Sequence, residues 1–177
     1  MKGLARIFTA LVLLSFVIMT AALIYLRAPV PISAPPLIGK VDRIVIEKAA
    51  RRLMLYQDGK IVRNYRMALG FAPEGDKSRQ GDGRTPEGVY RINRLNDRSA
   101  NHLSLALNYP QPADVARAAV KGHDPGGDIM IHGQPNALPD AAVIKGDWTA
   151  GCIAVSNAEI REIFASTPLG TKVEIRP

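Results

Sequence analysis

Asp42–Leu69 reads DRIVIEKAARRLMLYQDGKIVRNYRMAL, and its patterning decides the fold class. Asp42–Lys48 is rich in β-branched residues, which pack well on a pleated surface. Arg51–Tyr56 follows as a second strand. Asp58-Gly59 supplies the pair that accepts the positive φ angles of a tight hairpin turn, and Ile61–Leu69 returns as a third strand. The domain therefore opens as a meander. Further along, Val89–Asn93, His102–Tyr109, Asp128–Ile131, Ile153–Val155 and Thr171–Arg176 are short strand segments. Two short helices are expected. One is Asp114–Lys121, with a capping Asp and Gly122 behind it. The other begins at a Ser156/Glu159 capping box and runs to Ala165. Strands mostly precede helices, and the turns suit antiparallel pairing. The expected fold is mainly β, sandwich- or barrel-like, with short helices and long loops.

In the N-terminal direction the composition changes. Ala28–Gly39 (APVPISAPPLIG) holds four prolines and cannot continue a helix, so it reads as an extended spacer. Ile7–Leu26 (IFTALVLLSFVIMTAALIYL) is twenty residues without a charge, the length of one helical bilayer crossing. Lys2 and Arg6 precede it, and positive flanks stay cytoplasmic. A cleaved signal peptide has a shorter apolar core, about 7–15 residues, and a small-residue cleavage site. Here bulky Leu23–Leu26 follow Ala21-Ala22, so an uncleaved anchor is expected. The organisation reads as a cytoplasmic stretch over 1–6, a single transmembrane helix over 7–26, a spacer over 27–40 and a folded domain over 41–177. That places the domain on the periplasmic side of the inner membrane.

The net charge is +7, and Lys2, Arg6 and Arg27 account for three of it, leaving +4 for residues 28–177. No basic run or aromatic-interleaved patch accompanies this, so nucleic acid is not an expected partner. The charge suits an anionic extracytoplasmic polymer, or simply a solvated basic surface. Gly70–Gly88 carries five glycines and is a long loop, of the kind that is often functional. No Lys-Ser/Thr pair or helix signal follows it, which argues against a phosphate-binding loop.

The chemistry centres on Asp147–Asn157 (DWTAGCIAVSN), which holds the one cysteine, Cys152, and the one tryptophan, Trp148. A lone Cys is either a small buried apolar side chain or a nucleophile served by a distant histidine. In an oxidising compartment an unpaired Cys is either inert or reactive. His132 lies twenty residues upstream, where an apolar strand gives way to a Gly loop. It is a satisfied core histidine or the base that takes the thiol proton. His102 and His123 read as surface residues. Backbone N–H groups around Gly151 and Cys152 are candidate oxyanion donors. Gly133, directly after the histidine, is grouped with Gly151 as an oxyanion or positioning residue. One Cys and three scattered His do not make a zinc site, so no metal or cofactor is expected. Trp148 reads as a packing anchor beneath the loop.

HG at 132–133 and T-x-G-C at 149–152 resemble the active-site signature of the L,D-transpeptidases, the YkuD family: a His, a spacer, then Ser/Thr-His-Gly-Cys. GDGRTPEGVYRI at 81–92, NYP at 108–110 and GTKVEI at 170–175 are similar to the family too. The resemblance covers residues 41–177. It implies the L,D-transpeptidase catalytic fold, with Cys152 as nucleophile and His132 as general base and proton donor. The implied substrate is a peptidoglycan tetrapeptide stem, with transfer to an amine in a 3-3 cross-link or a protein attachment. Two readings stand beside it: a hydrolase on the same scaffold, and an inactive wall-binding domain. The chain departs from the family at Ala150, where His is usual, and at Ala154, where Arg or Asn is usual.

Overall fold

The expected meander opens the domain. In the computed structural model, which describes residues 13–15, 17–19 and 35–177, strand β1 (Arg43–Glu47) pairs antiparallel with β2 (Arg52–Gln57), and β2 with β3 (Lys60–Arg66). Asp58 and Gly59 make the turn at φ 49° and 74°, the left-handed pair a two-residue hairpin requires. Ile44, Val45 and Ile46 are all fully buried, so β1 is covered on both faces.

The last strand covers the second edge of β1. β8 (Lys172–Arg176) lies parallel to β1 and antiparallel to the first part of β4 (Gly88–Ser99). The second part of β4 turns to β5 (His102–Leu107), which pairs with β6 (Met130–His132). β6 runs parallel to the two-residue β7 (Ile153–Ala154). The order is β3-β2-β1-β8-β4-β5-β6-β7. Past β3, bridges Ala68–Ala154 and Gly70–Thr149 bring the chain back onto β7 and the turn before it, and the expectation of a mainly β fold with short helices holds.

Helix α1 (Pro112–Val120) begins two residues earlier than expected. Pro112 fits the first turn, where its missing N–H is not needed, and Asp114 accepts from the Gln111 N–H at 2.8 Å instead of starting the helix. Helix α2 (Asn157–Ser166) has the expected box: Glu159 N–H donates to Ser156 Oγ at 3.3 Å and Ser156 N–H to Glu159 Oε2 at 2.8 Å. It packs on β5 and buries Ile160 and Ile163 completely. The core joins these to Leu53, Leu55, Ile92, Leu105, Ile131 and Ile153. β4 runs six residues past the expected Asn93, into polar Arg94–Ser99, because hairpin pairing with β5 holds that arm rather than apolar burial. Of the expected anchor, 7–26, only 13–15 and 17–19 are described, and these are helical; the rest, and spacer residues 27–34, lie outside the described residues. Among the described residues no helix is long and apolar enough to cross a membrane.

Candidate active site

The two residues singled out by type flank the register of the parallel β6–β7 pair. β6 ends in His132, β7 opens directly after Cys152, and the register sets Ile131 against Ile153 and His132 against Ala154. Ile131 and Ile153 are fully buried and fix both backbones in the core, which leaves their flanking residues at its edge. Cys152 is half-buried, and His132 is 4% exposed.

The turn carrying Cys152 is built by Thr149 and Gly151. Buried Thr149 donates its hydroxyl to the Cys152 carbonyl at 2.7 Å and accepts the Gly151 N–H at 3.1 Å. Its backbone is tied on both sides of Gly70: Thr149 N–H donates to Leu69 O at 3.1 Å, and Phe71 N–H to Thr149 O at 2.9 Å. Gly151 has φ 140°, and a Cβ there would lie 2.7 Å from the Arg84 carbonyl oxygen. The Gly-rich stretch 70–88 is therefore the bed on which the cysteine turn rests. It is pinned from within by the buried Lys77–Asp82 pair at 2.8 Å, and from β1 by buried Lys48, whose Nζ donates to Thr85 O at 3.0 Å and to Glu87 Oε1 at 2.8 Å. Burial would raise the Asp82 pKa, but Lys77 and the N–H groups of Ser78, Arg84 and Arg79 outweigh it and hold the carboxyl at about 2.

A second brace was not legible as such in the sequence. Arg51, at φ 52° in the β1–β2 connection, clamps Asp147 through Nη2 at 2.7 Å and Nε at 3.0 Å, and the Leu69 N–H donates to the same carboxylate at 2.9 Å. Burial works against ionisation of Asp147, yet Arg51 and Leu69 carry it below the usual carboxylate range. The contribution of this clamp to stability is full above the ordinary carboxyl value of 3.8 and is lost as pH falls through the lower folded value. Asp147→Asn is expected to lower stability by about 1–2 kcal/mol in urea unfolding at neutral pH, the size of a charge-assisted bond with one partner removed. Arg51→Lys, which cannot offer a fork of donors, should retain only part of it. Unchanged unfolding midpoints for both would show the clamp to be ornamental.

His132 Nδ1 lies 2.7 Å from the Gly133 carbonyl oxygen. A carbonyl only accepts, so Nδ1 carries the proton and Nε2 holds the lone pair that can act as base. The Trp148 ring stands edge-on to the imidazole, centroids 5.7 Å apart at 67°, and this gives the tryptophan a partner more specific than general packing under a loop. Burial pushes the His132 pKa below 6.5, with the Gly133 contact opposing it. Burial likewise pushes the Cys152 thiol above 9.0, offset in part by the Met130 N–H. Both shifts favour the neutral forms, a thiol and an imidazole, over an ion pair. Cys152 Sγ donates to the Asp128 carbonyl at 3.4 Å, and among the described residues no hydrogen bond joins it to the His132 ring.

The glycines divide. The Gly133 N–H is taken by the carbonyls of Asn101 at 3.1 Å and Leu103 at 3.2 Å, so it is not a free oxyanion donor. A Cβ at Gly133 would sit 2.6 Å from Asn157 Oδ1, which makes the residue one of close approach to α2. The Gly151 N–H is held by Thr149, leaving the N–H groups of Ala150 and Cys152 as the donors in the turn uncommitted to another oxygen among the described residues. Ala150 is exposed; Ala154 is buried and bonded in both directions to Ala68, at 2.8 and 2.9 Å. His102, at the β4–β5 turn, meets Arg161 through Nε2 at 3.1 Å, and His123 is exposed on the loop after α1. Among the described residues no three His, Cys, Asp or Glu side chains gather in a metal-ligating group.

Comparison with known proteins covers this region. The family model of the L,D-transpeptidase catalytic domain (YkuD) matches residues 41–175. The chain is 30% identical over 134 residues to YafK of Escherichia coli (strain K12), named as a candidate L,D-transpeptidase, a match covering 72% of this chain and 48% of YafK. It therefore spans about half the length of the curated relatives it matches. Among solved structures, the helical cell shape determining protein Pgp2 of Campylobacter jejuni superposes with a TM-score of 0.59 at 27% identity, over 84% of this chain and 51% of Pgp2. An L,D-transpeptidase of Xylanimonas cellulosilytica DSM 15894 shares the fold at 19% identity, with a TM-score of 0.52 over 88% of this chain and 68% of that one.

Proposed function

Because the chain belongs to the YkuD family of L,D-transpeptidase catalytic domains, we propose that it is a cysteine acyltransferase of peptidoglycan, with Cys152 as nucleophile and His132 as general base and proton donor. The observation that carries the proposal is the parallel β6–β7 pair, which sets the end of one strand at His132 and the start of the other after Cys152, inside the matched segment.

The neutral starting pair defines the order of proton movements. Sγ leaves the Asp128 carbonyl and turns to the imidazole; contacts of this kind commonly tighten only when substrate is bound. The thiol proton passes to Nε2 as the sulfur bonds to the carbonyl joining the L-centre of diaminopimelate to terminal D-alanine. The Cys152 N–H meets the developing oxyanion. The C–N bond then breaks, His132 returns the proton to the departing D-alanine amine, and a thioester remains. An amine of a second stem, or of a protein, attacks the thioester; His132 takes its proton and restores the thiol. Dividing one hard acyl transfer into two easier ones is the gain from a covalent nucleophile.

The proposal includes the site of action. The charge-free stretch 7–26 behind Lys2 and Arg6 supports an inner-membrane anchor with the catalytic domain outside. It also includes a role in wall architecture, in keeping with the description of Pgp2 as a cell-shape determinant. Exposed Ala150 and half-exposed Cys152 favour one second reading, in which water is the acceptor and the enzyme is a hydrolase.

The test is incubation of the full chain with disaccharide-tetrapeptide and mass spectrometry of products and protein. A cross-linked dimer with a transient protein adduct is the expected result. Tripeptide alone selects the hydrolase, and no product with no adduct ends the proposal. The pH dependence offers a further check. Turnover is expected to fall on the acid side through a value below 6.5, as His132 becomes protonated, and alkylation of Cys152 is expected to rise only as pH passes 9.0. Rapid alkylation persisting at pH well below 6.5 would instead mean a preformed thiolate–imidazolium pair.

A further inference from the structure

Beside the strand pair lies a cavity of about 770 Å³, within the range of small-ligand pockets. It begins two residues beyond each proposed reactive group, since Gln134 and Ala154 both line it. Gln134 is 1% exposed and braces the walls: its Nε2 donates to Val155 O at 2.7 Å, and its Oε1 accepts the Ile144 N–H at 3.0 Å. Ala154 presents only a methyl group, so the space stays open.

Five charged side chains line the cavity, and three of them are already committed. Arg51 and Asp147 hold each other, and Asp147 also takes the Leu69 N–H. Glu159 accepts from the Ser156 N–H at 2.8 Å and the Ser156 hydroxyl at 2.7 Å. Arg66 and Lys145 are different. Both are exposed, and among the described residues neither side chain has an ion-pair or hydrogen-bond partner. The charge left over in the cavity is therefore cationic, with Met67 and Val143 adding apolar wall.

We propose that this cavity receives a carboxylate of an acidic stem peptide, gripped by Arg66 and Lys145, and thereby holds the peptide in line with Cys152. The proposal rests on the reading of the site as a peptidoglycan acyltransferase. An arginine can take a carboxylate through two parallel bonds and a lysine adds a point charge, while the apolar wall covers the aliphatic part of the same residue.

The experiment uses the full chain carrying Cys152→Ala, so that peptide binds without turnover. Trp148, the one tryptophan, stands against His132 and serves as a fluorescence reporter. The probes are an acidic tetrapeptide stem and its fully amidated counterpart. Adding Arg66→Gln or Lys145→Gln is expected to weaken binding of the acidic peptide by about tenfold each, the scale of one charge-assisted contact. Amidation should weaken binding comparably and erase the difference between variants, while Lys60→Gln, at the opposite end of β3 from Arg66, should change nothing. Equal binding of both peptides, undiminished binding by the two variants, or no binding at millimolar peptide each overturns the proposal. Thermal unfolding confirms that each variant is folded, and the amidated peptide tests the cavity without altering any of its residues. Turnover by the Cys152-containing chain with charge-indifferent binding would sink the cavity and spare the acyltransferase. Charge-dependent binding with no adduct on that chain would do the reverse.

Discussion

Cys152→Ala is expected to fold normally and to form no acyl adduct, with turnover of disaccharide-tetrapeptide reduced by at least about 10⁴-fold. The fold should tolerate the change because the thiol is half-buried and its bond to Asp128 O is long at 3.4 Å. The chemistry should not tolerate it, since no other nucleophile is available on the β6–β7 pair. Intact-protein mass spectrometry reads the adduct, and product chromatography reads turnover. Residual activity within tenfold of the unaltered chain would remove Cys152 from the mechanism. His132→Ala should lose less, roughly 10²–10⁴-fold, the usual scale for a general base.

Gly151→Ala is expected to damage both stability and activity, for two reasons that add. The residue has φ 140°, a conformation nearly reserved for glycine, which costs about 1–3 kcal/mol for any other side chain. The new Cβ would also meet the Arg84 carbonyl oxygen at 2.7 Å. That carbonyl cannot easily give way, because Thr85 next to it is held by Lys48 and the loop before it by Lys77 and Asp82. The melting temperature should fall by roughly 5–15 °C, and adduct formation should slow by about 100-fold, as a nucleophile misplaced by an ångström does. Gly59→Ala provides the contrast. It also has positive φ, at 74°, but nothing lies within 4 Å of its Cβ, so its loss should be confined to the turn's own backbone strain. Equal effects from the two substitutions would refute the crowding argument.

The comparison of sequence with structure divides along physical lines. Local rules found what local rules govern: the Asp58-Gly59 turn, the Ser156/Glu159 box and the β-branched first strand all appear as read. Arg94–Ser99 was not legible as strand, because its residues are polar and its order comes from pairing with β5 across a turn. The parallel pairing of β1 with β8 leaves no sign in either strand, since it depends on which neighbours the sheet selects. At the site, residue type and spacing singled out Cys152 and His132, but not that the thiol bonds Asp128 while the imidazole bonds Gly133. The clamp on Asp147 leaves no local sign because Arg51 is 96 positions away. The place of Gly133 after the histidine suggests an oxyanion donor, but its N–H is taken by two carbonyls, and a pattern cannot show which N–H groups are already occupied.

The seat of β8 between β1 and β4 has a consequence for the order of assembly. β1 and β4 do not pair with each other; each pairs with Lys172–Arg176. Until that strand is in place, the β1–β3 meander and the β4–β5 hairpin are two separate pieces, each with an open edge. Arrival of the final strand zips them into one sheet. Closure of the sheet thus waits on the strand farthest in sequence from β1, and the two pieces stay independent until it arrives.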